Sequence, residues 1–581
     1  MGFLQPNLPV VDLETWRTLP RSERIRPVAV HLATTGFGTP DVMPVLYVVK
    51  QVLFVLGGMA FALATKGIDG FTEVGTWWSE PVVFQKAVLY TMLIEVVGLG
   101  CAFGPLSGRY FLPMGSSLYW LRPGTIRLPP WPCRVPLTNG TDRTVVDVLL
   151  YAALLVLLLL ALLSDGTGPI PPLGTEIGVL PAWQTIAILS VLAVAGLRDK
   201  VIFLAARGEV YASLALAFLF TGVDAVVAAK VVFLVIWMGA ATSKVNRHFP
   251  FVIASMLSNS PVVRPGAVKR KFFAHFPDDL RPSRLAGVVA HTATAIELLV
   301  PLVLFFSHGG WVTAVAAVVM VGFHLGILSA FPMGVPLEWN VFMIFGVLWL
   351  FVAHADLGLA DLNQPLPVAA LLGVLVTVVA VGSVSPRMVS FLPGMRYYAG
   401  NWDTTLWCVK PSADERIRTG SRALVDIQHR ELEKLYGSRE ETLVPLHLAY
   451  AHRGMNTHGR ALFTLVHRAL AGLYEDDYNL CEGELICAMT VGWNFGDGHM
   501  HNEQLIAALH ERCSFEPGEV RVILLDGQPI HRQIQEYRLV DAATGEFERG
   551  HITVTDMVTR QPWADDLPVH VDREPAAGTG G

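Results

Sequence analysis

Charge is scarce in this sequence of 581 residues: 16% of positions are charged against 52% apolar, a balance that leans away from an ordinary water-soluble enzyme. No CxxC pair occurs among its six cysteines, Cys101, Cys133, Cys408, Cys481, Cys487 and Cys513, so neither a disulfide framework nor a four-cysteine zinc site is indicated. The formal net charge of −6 comes without any long basic stripe interleaved with aromatics, which argues against nucleic acid as a partner. No GK[ST] and no GxGxxG opens a helix, so nucleotide binding is unsupported. The first forty residues lack an apolar core, and no cleavable signal peptide is expected.

What stands in place of charge is a succession of apolar runs. They follow one another through about Val384, and from Arg387 onward charges, histidines and short alternating patterns return. A bilayer core about 30 Å thick needs roughly 20 apolar residues per helix. Nine runs qualify: residues 45–65, 82–104, 145–163, 182–197, 225–243, 285–306, 311–329, 339–354 and 367–385. A further stretch, 201–222, is interrupted by Arg207 and Glu209. Short loops rich in Lys and Arg face the cytoplasm. The N-terminus (Arg17, Arg21, Arg24, Arg26), the loop with Arg109, Arg122, Arg127, Arg134 and Arg143, and residues 244–284 are basic, whereas 67–81 carries only acids and 165–181 no Lys or Arg. For Arg198 and Lys200 to share a side with the loop from Lys244, the interrupted stretch must cross or return as a re-entrant hairpin.

The fold expected is an all-α polytopic membrane domain of about ten transmembrane helices followed by a smaller soluble α+β domain. The divisions are a cytoplasmic N-terminal segment (1–44), the transmembrane domain (45–385), an interface linker (386–411), a cytoplasmic α+β domain (412–572) and a disordered tail (573–581). The location expected is the plasma membrane, with both termini cytoplasmic.

A charged side chain near the bilayer centre costs roughly 2.5 to 3.5 kcal/mol on insertion scales, so each such residue is a functional candidate. The candidates are Glu95, Lys230, His291, Glu297 and His324, with Lys50, Lys86 and Lys244 nearer helix ends. Lys50 and Lys86 are expected to reach the headgroups along their apolar stems. Lys230, Trp237 and Lys244 recur every seven residues and so share a helix face. Similar depths for Lys244, His324, Glu297, His291 and Glu95 predict one polar cavity open toward the cytoplasm. Structural Glu–Lys or Glu–His bonds between helices are the alternative. A lysine held neutral at the mouth of an apolar cavity can act as a general base, and a nearby histidine or glutamate can return the proton.

The segment Trp237-Met-Gly-Ala-Ala-Thr-Ser-Lys-Val-Asn-Arg-His-Phe249 resembles the signature of small residues, Lys-Leu and an aromatic found in the vitamin K-dependent gamma-carboxylase-like (horizontally transferred transmembrane) domain family. Ile296-Glu-Leu-Leu-Val-Pro301 resembles that family's acidic residue followed by proline within a span, and Phe323-His-Leu-Gly-Ile-Leu-Ser-Ala-Phe-Pro-Met-Gly334 its Phe-His segment. The similarity covers residues 182–351. The chain as a whole also resembles an uncharacterised family of actinobacterial transmembrane proteins. The carboxylase resemblance implies that Lys244 is a catalytic base, the role that deprotonates reduced vitamin K, with His324 and Glu297 beside it. No counterpart of the carboxylase's large lumenal region is present, so the resemblance implies a cavity for a quinone, lipid or other apolar molecule rather than gamma-carboxylation itself.

In the C-terminal part, residues 414–437, 458–473 and 502–513 carry helical patterns, the last with Asn502 as N-cap. Residues 519–525, 532–540 and 551–558 are strand-like, and Asp541-Ala-Ala-Thr-Gly545-Glu is a hairpin loop. The glycine-rich segment Gly492-Trp-Asn-Phe-Gly-Asp-Gly-His-Met-His501 singles out Asp497, His499 and His501. A metal there would need further ligands such as Cys481 or His452. A loop that positions His499 at a ligand or a domain interface is the preferred reading, with no metal. Three functions remain open: a membrane-embedded enzyme acting on an apolar substrate with a quinone as possible cofactor, a carrier or transporter, or a scaffold with a docking domain. Membrane lipid and an apolar small molecule are the expected partners.

Overall fold

The computed structural model describes residues 3–4, 6–100, 115–330, 337–496 and 498–573. Among them, six helices are long and apolar enough to cross a membrane: Val42–Leu63, Val145–Leu163, Val223–Ser243, Arg284–Phe306, Gly310–Ala330 and Pro365–Val384. Pro81–Val97, Ala182–Arg198 and Leu337–Leu348 are shorter, the last prolonged by a π turn over Trp349–Ala353. Each of the nine apolar runs falls on one of these helices. Pro81–Val97 stops short of the run's end because Gly98 turns left-handed (φ +90°) and Leu99 N–H reaches back to the Ile94 carbonyl at 2.9 Å, the glycine-dependent helix stop. Residues 101–104 lie outside the described part.

The interrupted stretch forms two short helices, Lys200–Ala205 and Tyr211–Ala217, with Arg207 at φ +49° between them. At its start Lys200 Nζ donates to the His499 carbonyl at 2.6 Å. At its end the Phe218 ring meets Phe84 at 6.0 Å, and Asp224 accepts from the backbone N–H groups of Asn363 (2.8 Å) and Gln364 (2.9 Å). The stretch therefore runs from the side that bears the C-terminal region to the far side of the helical bundle, broken midway.

Helix Val223–Ser243 is the axis of that bundle. Of its apolar window 78% is buried, against 17–33% for the other five long helices, and apolar residues all round are what such a position requires. On the C-terminal side, a buried ionic layer closes the ends of two other helices. The Asp147 carboxylate accepts from the Thr144 N–H and hydroxyl, each at 2.7 Å, and from Arg198 at 2.5 Å, while Arg143 pairs with Asp199. Arg143 from a basic loop and Arg198 at a helix end thus serve as helix-end partners.

The C-terminal region builds on a six-stranded antiparallel sheet in the order Asn479–Glu482, Thr404–Val409, Val520–Leu525, Ile534–Asp541, Gly545–Thr553, His570–Arg573. Thr404–Val409 falls inside the stretch read as a linker, yet it is an inner strand with all six residues buried. Asp541 Oδ1 accepts from the Ala543 and Thr544 N–H groups, and Gly545 at φ +91° completes the hairpin expected there. Two expectations change. The strand read over 551–558 ends at Thr553, whose hydroxyl accepts from Asp556 N–H and caps a helix over Val554–Thr559. The helix read over 414–437 is two, Asp414–Gly420 and Gln428–Tyr436.

Helix Arg21–Thr35 near the N-terminus packs on Arg439–Met455. Ile25, Val28, Ala29 and Leu32 share one buried cluster with Val444, Leu448 and Ala451. Arg21 donates to the Phe463 carbonyl and pairs with Glu475, both at 2.8 Å. Phe272, Phe273 and Leu280, from the loop between two long helices, enter the same cluster.

Candidate functional site

The central helix ends at Ser243, and Lys244 is its C-cap, where a cation suits the exposed carbonyls of a helix terminus. The Lys244 side chain, 10% exposed, turns inward, and its Nζ lies 2.6 Å from Glu297 Oε2. Glu297 sits on Arg284–Phe306 four residues before Pro301, which has no N–H to bond the Glu297 carbonyl. The acid–proline motif therefore loosens the helix beside the carboxylate. The resemblance implies both His324 and Glu297 beside Lys244, and the direct bond is made to Glu297.

His324, on Gly310–Ala330, lies between two groups: Trp237 Nε1 at 3.2 Å from its Nε2 and Asn340 Oδ1 at 2.8 Å from its Nδ1. Indole N–H is a donor only, so Nε2 accepts and the proton resides on Nδ1, donated to Asn340. This pattern holds a neutral imidazole in one tautomer and one orientation.

Lys244, Glu297 and His324 face a common cavity of about 110 Å3, together with Trp237, Asn340 and a further charged group, Arg207. The break in the split stretch delivers Arg207 to the cavity wall. Its guanidinium lies 4.6 Å from the ring centre of Trp339, 5.2 Å from Phe495 and 5.4 Å from Tyr397, and its Nε donates to Glu209 Oε1 at 2.8 Å. The Tyr397 hydroxyl donates to the same carboxylate at 3.3 Å. Phe495 comes from the glycine-rich loop, whose entry requires glycine: Gly492 has φ +85°, and a Cβ there would fall 2.6 Å from the Tyr119 ring. Arg207, Glu209, Asn340 and Tyr397 were not among the sequence candidates. The only signal for the first two was their interruption of an apolar run.

The other candidates lie elsewhere. Lys230 donates to the carbonyls of His354 (2.7 Å) and Leu357 (2.5 Å) on the far side. Glu95 is fully buried near the end of Pro81–Val97, against Gly100, and is not part of the cavity wall. His291 is exposed and lines a different, larger crevice. Lys50, expected to reach the headgroups, instead pairs with the fully buried Glu338 at 2.9 Å, and Lys86 donates to the Phe61 carbonyl at 3.1 Å.

Of the loop residues, Asp497 lies outside the described residues. His499 Nε2 is 2.9 Å from the Pro386 carbonyl and 3.3 Å from Asp403 Oδ2. Burial pushes the Asp403 carboxyl up, but His499 and Arg396 beside it win and hold it below its ordinary value. His501 is fully buried, its Nδ1 2.7 Å from the Thr405 hydroxyl, and burial with Arg453 nearby pushes it down to about 3. The two histidines thus bond to different partners, and no group of three His, Cys, Asp or Glu able to hold a metal occurs among the described residues.

A lysine–glutamate pair in an apolar cavity can exchange its proton along a single short bond. The charged form sets two ions in low dielectric, and a proton moved from Nζ to Oε2 leaves a neutral amine and acid, which removes both charges. A neutral amine is a base, and the acid next to it is a proton source.

A family model described as a transmembrane protein of unknown function (DUF3556) matches residues 1–572. No curated protein and no solved structure matches the chain.

Proposed function

We propose, for a chain that belongs to the DUF3556 family of transmembrane proteins, that the Lys244 cavity takes the polar head of an apolar lipid or quinone-like molecule and moves a proton on it. The observation that carries this reading is the Lys244–Glu297 pair at 2.6 Å facing a cavity with His324 and Arg207. Lys244 is the base once Glu297 holds the shared proton and Glu297 returns it, while His324, with both ring nitrogens taken by Trp237 and Asn340, fixes the shape of the cavity wall beside them. The aromatic walls from Trp237, Trp339, Tyr397 and Phe495 suit a flat, apolar ligand. The gamma-carboxylase-like resemblance supports the same reading, since its three short motifs contribute Lys244, Glu297 and His324 to this one cavity.

The membrane reading that goes with it has about ten crossings, the split stretch 201–222 counting as one, in the plasma membrane with both termini cytoplasmic. The division that goes with it is 1–44, 45–385, 386–411, 412–572 and 573–581, amended so that Thr404–Val409 of the linker counts with the C-terminal sheet. Lys230, Glu95 and His291, expected to line the cavity, have no part in this reading, and the loop with His499 and His501 carries Phe495 to it.

The test is mass spectrometry of the organic extract of purified full-length protein. A retained quinone or isoprenoid-like lipid, lost in a Lys244→Met/Glu297→Leu variant that still folds, supports the reading. The same extract from wild type and variant overturns it. A carrier is the second reading, favoured by the break at Arg207, because discontinuous helices line substrate paths in transporters. Ligand movement across proteoliposomes without chemical change would select it.

A further inference from the structure

A second cavity, of about 630 Å3, opens where the central helix gives way to the sheet region. Arg247 and His291 line it from the helical bundle, and Arg396, Asn401, Gln528 and Gln533 from the other side. Among the described residues that line it there is no aspartate or glutamate. That one-signed wall contrasts with the settings of Arg143 and Arg207, which sit on Asp199 and Glu209. Arg396 has Asp403 behind it at 3.5 Å. Arg247 donates to the Thr555 hydroxyl at 2.9 Å and has no carboxylate partner among the described residues.

The crevice lies at the depth where apolar helices stop. Ser383, one residue before the end of Pro365–Val384, contributes to its wall and accepts a backbone hydrogen bond from Ile530 at 2.9 Å. Its rim is apolar and open. Val245 is 62% exposed, and Val288, three residues from His291 and so on the same helix face, is 63% exposed. Basic and amide groups in the wall, exposed valines beside them, and a volume within the range of small-molecule sites match one class of ligand.

We propose that this crevice binds the phosphate of an anionic lipid at the bilayer surface, with Arg247 and Arg396 on the phosphate, the amides of Gln528, Gln533 and Asn401 on the headgroup, and the acyl chains along Val245 and Val288. A soluble phosphate ester shares the headgroup chemistry, and the apolar rim favours the lipid. The site is separate from the Lys244 cavity and stands without the chemistry proposed there.

The test uses the full chain in nanodiscs of phosphatidylcholine with a minority of phosphatidylglycerol, followed by native mass spectrometry of the lipid it retains. Phosphatidylglycerol is expected to be retained over phosphatidylcholine. Arg247→Gln is expected to lower that retention about fivefold, the worth of one basic residue at an anionic surface. Gln533→Glu, which sets a negative charge in the crevice, lowers it as well, and Arg247→Lys keeps most of it. Residues 247 and 533 are exposed, so unchanged thermal midpoints in the variants show that folding is not what is read. No effect of inorganic phosphate on retention supports the lipid. Displacement of the lipid by inorganic phosphate, equal retention of the two lipids by wild type, or equal retention by wild type and both charge variants would each overturn the proposal.

Discussion

Removing Lys244 alone strands a buried carboxylate, and this fixes how the cavity must be probed. The pair is 2.6 Å apart with side chains 10% and 6% exposed, too buried for the solvent screening that makes surface pairs worth little. Losing one partner of such a pair costs about 3 to 5 kcal/mol, whereas replacing both by apolar groups of similar volume is close to neutral. Lys244→Met and Glu297→Leu are each expected to destabilise by that amount, and the double variant by less than either. Its place near a helix end would, by itself, suggest that Lys244 could be truncated without leaving a buried partner. Its bond to Glu297 reverses that expectation, so a single Lys244→Ala variant confounds stability with chemistry. The assay is a double-mutant cycle on full-length protein in nanodiscs, read by thermal unfolding. Single effects that sum to the double within about 0.5 kcal/mol would show that the pair is not coupled and refute the reasoning. If the double variant is stable, its activity or ligand retention isolates the chemical role.

Acid should loosen the contact between sheet region and bundle. His248 lies between them with its Nε2 2.8 Å from Gln528 Oε1 and its Nδ1 2.5 Å from the Thr457 hydroxyl, and burial pushes it from 6.5 down to about 4. Its folded value is depressed, so the unfolded state binds more protons between those values. Stability is complete above about 6.5 and falls by about 3 kcal/mol as pH drops toward 4, and the thermal midpoint across that range should be flatter in His248→Gln. A fragment beginning near Ser412 lacks the inner strand Thr404–Val409 and should aggregate; a monodisperse, folded fragment on size exclusion would contradict the sheet order. An introduced cysteine at Lys410 should stay unlabelled by an impermeant reagent in intact cells, and labelling from outside would reverse the proposed orientation.

The apolar helices were legible because a bilayer imposes a length that ordinary cores do not, and the three candidates of the Lys244 cavity were legible because charge is rare among such runs. Strand Thr404–Val409 was not, since burial on both faces removes the alternation that marks a half-exposed strand. The helix Val554–Thr559 had a sequence signal, Thr553 followed three residues later by Asp556, an N-terminal capping pattern masked by the β-branched run around it. Helix Arg21–Thr35 looked like a basic, solvated segment, because its apolar positions meet partners at the opposite end of the chain, which no local pattern records. Arg207 and Glu209 were visible only as an interruption. That they bond to each other, and to Tyr397, depends on a break whose direction only tertiary packing sets.

That break also explains why the sheet region belongs to the cavity. A guanidinium in an apolar bundle needs both an ionic partner and contact for its faces, and Arg207 obtains the first from Glu209, its neighbour in the same break, and part of the second from Phe495. Phe495 is carried by a loop that Gly492 initiates and that Lys200 ties to the bundle through the His499 carbonyl. The cavity wall is therefore complete only when the C-terminal region is docked. A membrane domain cut after residue 400 would keep Lys244, Glu297 and His324, and Trp339 and Tyr397 over Arg207, yet lose Phe495, and with it part of the water exclusion that gives a buried lysine–glutamate pair its capacity to exchange a proton.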